Sequence, residues 1–212
     1  MILDKKIAFK TITYLSQINA IKFNSKKPFT WTSGIKSPIY CDNRLILSYP
    51  KIREFIADKM AEIIKDKYGN NISITGVATG AIAIGSMIAE RLNLPFSYVR
   101  PEPKGHGLKN QIEGRIDKGN GIVVVEDLIS TGKSSLNAIN ALKFEGYKVK
   151  GMLSIFSYNF NFANDIFEKE KIEVNSLTDY NVLLEQLKND SKINEEELNR
   201  LKNWRIDPKN WS

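Results

Sequence analysis

Two adjacent acids, Glu126 and Asp127, close an apolar run of Ile122, Val123, Val124 and Val125, and a small hydroxyl-rich turn follows: Ser130, Thr131, Gly132, Lys133 and Ser134. Backbone N–H groups and hydroxyls at the start of a helix make a ready anion site. Phosphate alone would be repelled by two neighbouring carboxylates. The pattern therefore suits a ligand that carries phosphate together with hydroxyls or a cation, such as a phosphorylated sugar with Mg²⁺. A nucleotide-hydrolase reading fails on one residue. Gly132-Lys133-Ser134 matches the end of a Walker A loop, but that loop needs a glycine five positions earlier. Asp127 stands there, where the backbone would have to wrap a phosphate.

Two further stretches could share the same ligand. Gly76-Val-Ala-Thr-Gly-Ala-Ile-Ala-Ile-Gly85 runs from strand into helix with small residues that let the backbone approach a ligand. Small residues equally let a helix sit tightly on a sheet, and the stretch alone does not separate the two readings. The segment from Arg100 to Gly121 carries Arg100, Lys104, His106 and Lys109 among prolines and glycines. A connection longer than about 12 residues is usually a lid or a solvated loop. Lys104-Gly105-His106-Gly107 places two donors between glycines, as a lid closing over an anion would need.

The elements that position these residues follow from periodicity. Strands are expected at 72–77, 96–100, 121–125 and 149–156, with helices at 81–92 and 134–145 and a loop over 101–120. Strand–helix alternation with short links predicts an α/β fold, a parallel sheet with helices on both faces. The short, β-branched run at 122–125 is that of a strand covered on both sides, and such strands end in ligand-binding crevices. Before this body lie an apolar helical pattern over 2–19 (Leu3, Ile7, Tyr14, Leu15, Ile18) and a hairpin-like stretch from Pro28 to Arg44, read as a small cap. A helix starting near Pro50 carries a stripe of Ile52, Phe55, Ile56, Met60, Ile63 and Ile64. After Tyr158 the pattern weakens to helices over 179–187 and from Asn194, the latter burying Leu198, Leu201 and Trp204. One domain over 1–212 is expected, with the cap at about 1–48 joined by the C-terminal helices and the α/β core at about 50–158.

Composition narrows the function class. No apolar run approaches the ~20 residues of a membrane span, and Met1-Ile-Leu-Asp-Lys-Lys6 lacks the order of a secretory signal. The single cysteine, Cys41, excludes an internal disulfide framework and a cysteine-built metal site, in keeping with a reducing cytoplasm. The net charge of +7 comes from scattered lysines, which an anionic small substrate or simply a lysine-rich proteome explains better than nucleic acid.

Taken together, these residues resemble the orotate phosphoribosyltransferase family over most of the chain. Val123-Val-Val-Glu-Asp-Leu-Ile-Ser-Thr-Gly-Lys-Ser134 is similar to the phosphoribosyl pyrophosphate (PRPP) motif of type I phosphoribosyltransferases. Lys104-Gly-His-Gly-Leu-Lys-Asn-Gln-Ile-Glu-Gly114 is similar to the orotate family's catalytic loop, and Phe29 to Arg44 to its N-terminal cap, or hood. The resemblance implies a twisted parallel sheet of phosphoribosyltransferase type. It also implies transfer of ribose 5-phosphate from PRPP to orotate, a step of pyrimidine biosynthesis. Mg²⁺ would be bound mainly through PRPP, with no metal-ligand set on the protein. The implied PRPP contacts are Arg100, Lys104, His106, Glu126, Asp127, Leu128, Ile129, Ser130, Thr131, Gly132, Lys133 and Ser134. The implied catalytic groups are Lys104, His106 and Asp127, and Ser130 is an implied orotate contact. A homodimer is implied too, the 101–115 loop of one copy reaching the neighbouring site, with no nucleic-acid or membrane partner. Many relatives carry lysines where Thr32 and Pro101 stand here, and some hold orotate with an arginine after the strand ending near Ser157, where none occurs. Arg44, at the end of the cap segment, is the candidate for the orotate carboxylate instead. A purine or uracil transferase, or a PRPP-responsive regulator, would share the PRPP motif without needing this loop and cap.

Overall fold

A computed structural model describes residues 2–24, 26–31, 34–102 and 111–211. The chain opens with α1 (Lys5–Gln17), capped by Asp4, whose carboxylate accepts from the Ile7 N–H at 2.9 Å. Four short strands follow, β1 (Ile21–Phe23), β2 (Phe29–Thr30), β3 (Lys36–Ser37) and β4 (Ile39–Cys41), and then a 3₁₀ helix (Asn43–Ser48). The hairpin read between Pro28 and Arg44 is present as β2 against β3, while β4 turns back onto β1. The α1 stripe differs from expectation. Ala8, Thr11, Ile12 and Leu15 are buried, whereas Leu3 is exposed, because the helix starts two residues after it.

The body is α2 (Pro50–Tyr68), β5 (Ile72–Val77), α3 (Ala81–Leu92), β6 (Phe96–Val99), β7 (Ile112–Glu113), β8 (Gly121–Ile129), α4 (Lys133–Phe144) and β9 (Val149–Ser157). It continues through α5 (Asn161–Lys169), β10 (Val174–Asp179), α6 (Tyr180–Asn189) and α7 (Glu195–Ile206). Six strands form one sheet in the order β10-β9-β8-β5-β6-β7, all parallel except β7, which runs against β6. Strand β8 lies at the centre and is buried on both sides. Val123 and Val125 join the core under α2 and α3, while Ile122 and Val124 join a second core with Ala138, Ile139 and Leu142 of α4. That two-sided burial is why its sequence is an unbroken apolar run.

Three features depart from the sequence reading. Strand β8 runs on to Ile129, so the two acids belong to the strand rather than to the turn. Residues 112–113, inside the stretch read as a loop, form β7 and pair antiparallel with Tyr98 and Val99. A sixth strand, β10, was hidden by its polar residues Asn175, Ser176 and Thr178, all of them buried. Ser176 shares a 2.6 Å hydroxyl contact with Ser154 on β9, and the open edge of β10 is met by an isolated parallel bridge from Ile2.

The cap is tied to the chain's end by aromatic rings. Trp31 lies 4.7 Å from Tyr158 and 6.0 Å from Trp204, ring centre to ring centre. Leu198, Leu201 and Trp204 are buried as the α7 stripe predicts. The Trp204 indole N–H donates to the carbonyl of Lys36 at 2.8 Å. Among the described residues no helix is long and apolar enough to cross a membrane.

Candidate active site

The carboxyl end of β8 is where the sheet opens. Strand β5 pairs with β8 only as far as Gly76 opposite Val125, whereas β9 stays paired to Ile129. Past that fork the strand has a neighbour on one side only. Glu126 and Asp127 stand at this point.

Three adjoining cavities surround it. The central one, about 350 Å³, is lined by Glu126, Asp127, Leu128, Ser134, the Val77–Gly80 segment, and Cys41, Asp42 and Arg44 of the cap. A second, about 340 Å³, shares Val77, Ala78 and Ser134 with it and adds Arg100, Thr131 and Lys133. The third, about 410 Å³, shares Cys41 and Leu128 with the central cavity and is walled by Trp31, Tyr40 and Tyr158, with Thr30, Ser130 and Thr131. A larger hollow, about 540 Å³ between Gln111 and Phe144, holds none of the predicted site residues. Size does not identify the site; convergent polar groups do.

The two acids have different surroundings. Glu126 is 3% exposed and turns toward α4, where the Ser135 hydroxyl donates to it at 2.9 Å and the Ser134 hydroxyl at 3.5 Å. It also accepts the Asp127 N–H at 3.2 Å. Burial first, then the Asp127 charge, raises the Glu126 carboxyl well above its ordinary range. Asp127 faces the cavity. Burial raises its carboxyl too, opposed by its bond with Glu126, by backbone N–H groups and by the Arg44 charge. Two acids this close in a poorly solvated place do not both ionise freely, and burial raises the carboxyl of each. Glu126 braces the turn and Asp127 is presented to the cavity.

The space Asp127 occupies is left by a glycine. A Cβ on Gly80 would run into all three atoms of the Asp127 carboxylate group. Gly132 is required for another reason. It caps α4 at φ 78°, in the left-handed region, and a Cβ there would lie 3.1 Å from the Phe167 ring. No side chain caps α4, so the first N–H groups of the helix remain open to an anion. Lys133 at its first position is exposed, and Arg100 lines the same cavity while its Nη1 lies 3.4 Å from a Glu113 carboxylate oxygen.

The other predicted residues are placed as follows. Leu128 lines two of the cavities, while Ile129 is buried in the core and offers only its backbone, whose carbonyl accepts the Tyr158 N–H at 2.9 Å. Arg44 and Ser130, the two base-contact candidates, line different cavities, Arg44 with the acids and Ser130 with the aromatic rings. Asp42 grips Arg44 through its Nε at 2.7 Å and Nη2 at 2.8 Å, and the pairing holds the Asp42 carboxyl below its usual range. Lys104, His106 and Lys109, like Thr32, lie outside the described residues. Three participants escaped sequence reasoning. Ser135, just past the motif, bonds Glu126, Asn43 bonds the Asp127 carbonyl from 84 residues away, and Cys41 lines both the acid and the aromatic cavity. Only the small residues around Gly80 carried a signal, and that was ambiguous.

Among the described residues no cluster of three or more Asp, Glu, His or Cys side chains is arranged to hold a metal. Of the three acids that line the central cavity, Asp42 is paired with Arg44 and Glu126 is bonded to Ser135, so Asp127 is the carboxylate placed to meet Mg²⁺ that arrives on a polyphosphate and keeps water ligands.

Comparison with known proteins agrees with this geometry. The model of the phosphoribosyl transferase domain family matches residues 45–198. An orotate phosphoribosyltransferase of Phocaeicola vulgatus is 49% identical over 197 residues, 93% of each chain. The crystal structure of orotate phosphoribosyltransferase from Aeropyrum pernix is similar with a TM-score of 0.74 and 30% identity, over 83% of this chain and 97% of that one. The structure of Leishmania donovani UMP synthase is similar with a TM-score of 0.79 and 26% identity, over 95% of this chain but 42% of that longer one.

Proposed function

This chain belongs to the phosphoribosyl transferase family, and within it to the orotate phosphoribosyltransferases; from that premise we propose that it transfers ribose 5-phosphate from PRPP to N1 of orotate. The products are orotidine 5′-phosphate, for pyrimidine nucleotide biosynthesis, and pyrophosphate. The observation that carries the reading is the set of three adjoining cavities at the end of β8. One is acidic, one is lined by cations and an open helix N-terminus, and one is aromatic.

As pyrophosphate leaves, the ribose carbon becomes cation-like and negative charge builds on the leaving group. Fixed groups aimed at both charges lower the barrier. Asp127 holds the ribose hydroxyls and faces the cationic centre, and Glu126 keeps the turn in place through Ser135. Ser130 to Ser134 cradle the 5-phosphate with hydroxyls and the N–H groups of α4. Arg100, with Lys104 and His106 from the loop, meets the pyrophosphate, where charge-assisted bonds are strong. Mg²⁺, carried in on PRPP, neutralises phosphate charge. The orotate ring lies between Tyr40, Tyr158 and Trp31, with Ser130 donating to it. Arg44 reaches it from the shared wall at Cys41 and Leu128. The cap segment and C-terminal helices act with the α/β core as one domain. The active form is a cytoplasmic homodimer in which the 101–115 loop crosses to the neighbouring site.

The test is to mix the protein with PRPP and Mg²⁺ and follow the absorbance of orotate, with purine bases and uracil as controls. Consumption of orotate alone is expected. Consumption of a purine or of uracil instead, or of no base despite PRPP binding, refutes the reading.

A further inference from the structure

We propose that Asn43 is a positioning residue, which sets the direction of Asp127 and makes the acid site depend on the seating of the cap. The inference rests on the reading above, in which Asp127 holds the ribose. Asn43 opens the 3₁₀ helix of the cap and is 1% exposed. Its amide Nδ2 donates to the backbone carbonyl of Asp127 at 2.6 Å, across 84 residues of sequence. The orientation of the amide is set from its other side, where Oδ1 accepts the Cys41 thiol at 3.2 Å. Both ends of the side chain are therefore occupied, and only one arrangement satisfies them.

The bond falls at a particular place. Strand β5 leaves β8 after Val125, and Asp127 is the second residue beyond that last pairing. Asn43 supplies from the cap a hydrogen bond at a point where the neighbouring strand has gone. Because the peptide unit is planar, holding the carbonyl of Asp127 fixes the backbone on its carboxyl side and with it the line along which the side chain leaves. The carboxylate is then aimed past Gly80 into the central cavity. Asp42 and Arg44, the residues flanking Asn43, line that cavity themselves, so the segment that holds the acid also forms one of its walls.

A bond of purely structural value would alter stability and leave the kinetics of the folded enzyme alone. A positioning bond behaves otherwise. Asn43→Ala is expected to lower kcat by about 100-fold, as a misplacement of about 1 Å does, with the KM for orotate changed by less than about threefold. Affinity for PRPP with Mg²⁺, measured by calorimetry without orotate, is expected to fall roughly tenfold. Asn43→Asp, which keeps the shape, replaces a donor by a carboxylate oxygen facing a carbonyl. When protonated it donates again, so its kcat relative to the unaltered enzyme should rise as the pH falls. That variant carries the test if Asn43→Ala does not fold. Unchanged kcat and PRPP affinity in Asn43→Ala, or a ratio for Asn43→Asp that is flat with pH, overturns the proposal. An unaltered protein that binds PRPP without consuming orotate overturns the reading of the activity instead, and the PRPP affinity of the variants still decides the role of Asn43.

Discussion

Gly80→Ala offers a direct test of how closely the Val77–Gly80 segment and the acid are fitted. The added methyl would overlap the Asp127 carboxylate group, and two non-bonded carbons rest at about 3.5 Å or more. The obstacle is the end of a side chain rather than backbone, so the fold accommodates the methyl by swinging the carboxylate away by about 1 Å. Such a displacement of a group aimed at a developing charge costs about 100-fold in rate, or about 2.7 kcal/mol of transition-state stabilisation. The thermal midpoint should move little, because the backbone of Gly80 is already α-helical, at φ −62° and ψ −35°. The assay compares kcat/KM for PRPP and the thermal midpoint of Gly80→Ala with those of Gly119→Ala, whose new methyl would meet nothing closer than Asp117 at 3.5 Å. If Gly80→Ala keeps kcat/KM within about threefold of the unaltered enzyme while remaining folded, the fit between Gly80 and Asp127 has no part in catalysis.

Lys104→Ala should lower kcat far more than it raises the KM for PRPP, since its ammonium acts on charge that appears only in the transition state; steady-state kinetics showing a change in KM alone would remove it from the catalytic set. Arg44→Ala should weaken orotate binding, read by calorimetry in the presence of pyrophosphate, and unchanged affinity would restrict Arg44 to the acid cavity in which it stands. Glu126 gives a pH prediction. Its carboxyl is raised in the folded state, so the fold holds a proton that the unfolded chain releases, and stability falls as pH rises from about 4.5 upward. Glu126→Gln should flatten that slope and raise the thermal midpoint at neutral pH relative to the unaltered enzyme, as scans between pH 5 and pH 8 would show.

The alternating body was legible because its central strands β5, β8 and β9 meet helices on both faces and its apolar runs end at turn residues. Strand β10 was not. It carries Asn175, Ser176 and Thr178 into buried positions, and the partner of Ser176, the Ser154 hydroxyl on the adjacent strand, is 22 residues away in the chain. A polar strand of that kind looks like a loop until its neighbour is known. The shift in the α1 stripe has a similar origin. Thr11 sits on the buried face because its hydroxyl donates to the Ile7 carbonyl at 2.8 Å, a bond within the helix that periodicity does not weigh.

At the site the sequence distinguished phosphate with a sugar from phosphate alone, since adjacent carboxylates beside an anion cradle leave few other ligands. It could not separate the two acids. Glu126 and Asp127 are neighbours in the chain and chemically alike, yet alternation along the strand sends one toward α4 and the other into the cavity. What differentiates them comes from residues outside the pair: Ser135 on the first turn of α4 donates to one carboxylate, Gly80 leaves room for the other, and Asn43 holds the carbonyl of Asp127 from the cap. None of the three belongs to the PRPP motif. A chain that kept residues 123–134 intact but lost Asn43 or gained a side chain at position 80 would still match that motif, with its acid aimed wrongly. With Asn43 as the positioning residue, the seating of the cap on the strand end bears on the aim of Asp127 together with the motif, and a variant survey confined to the motif would miss it.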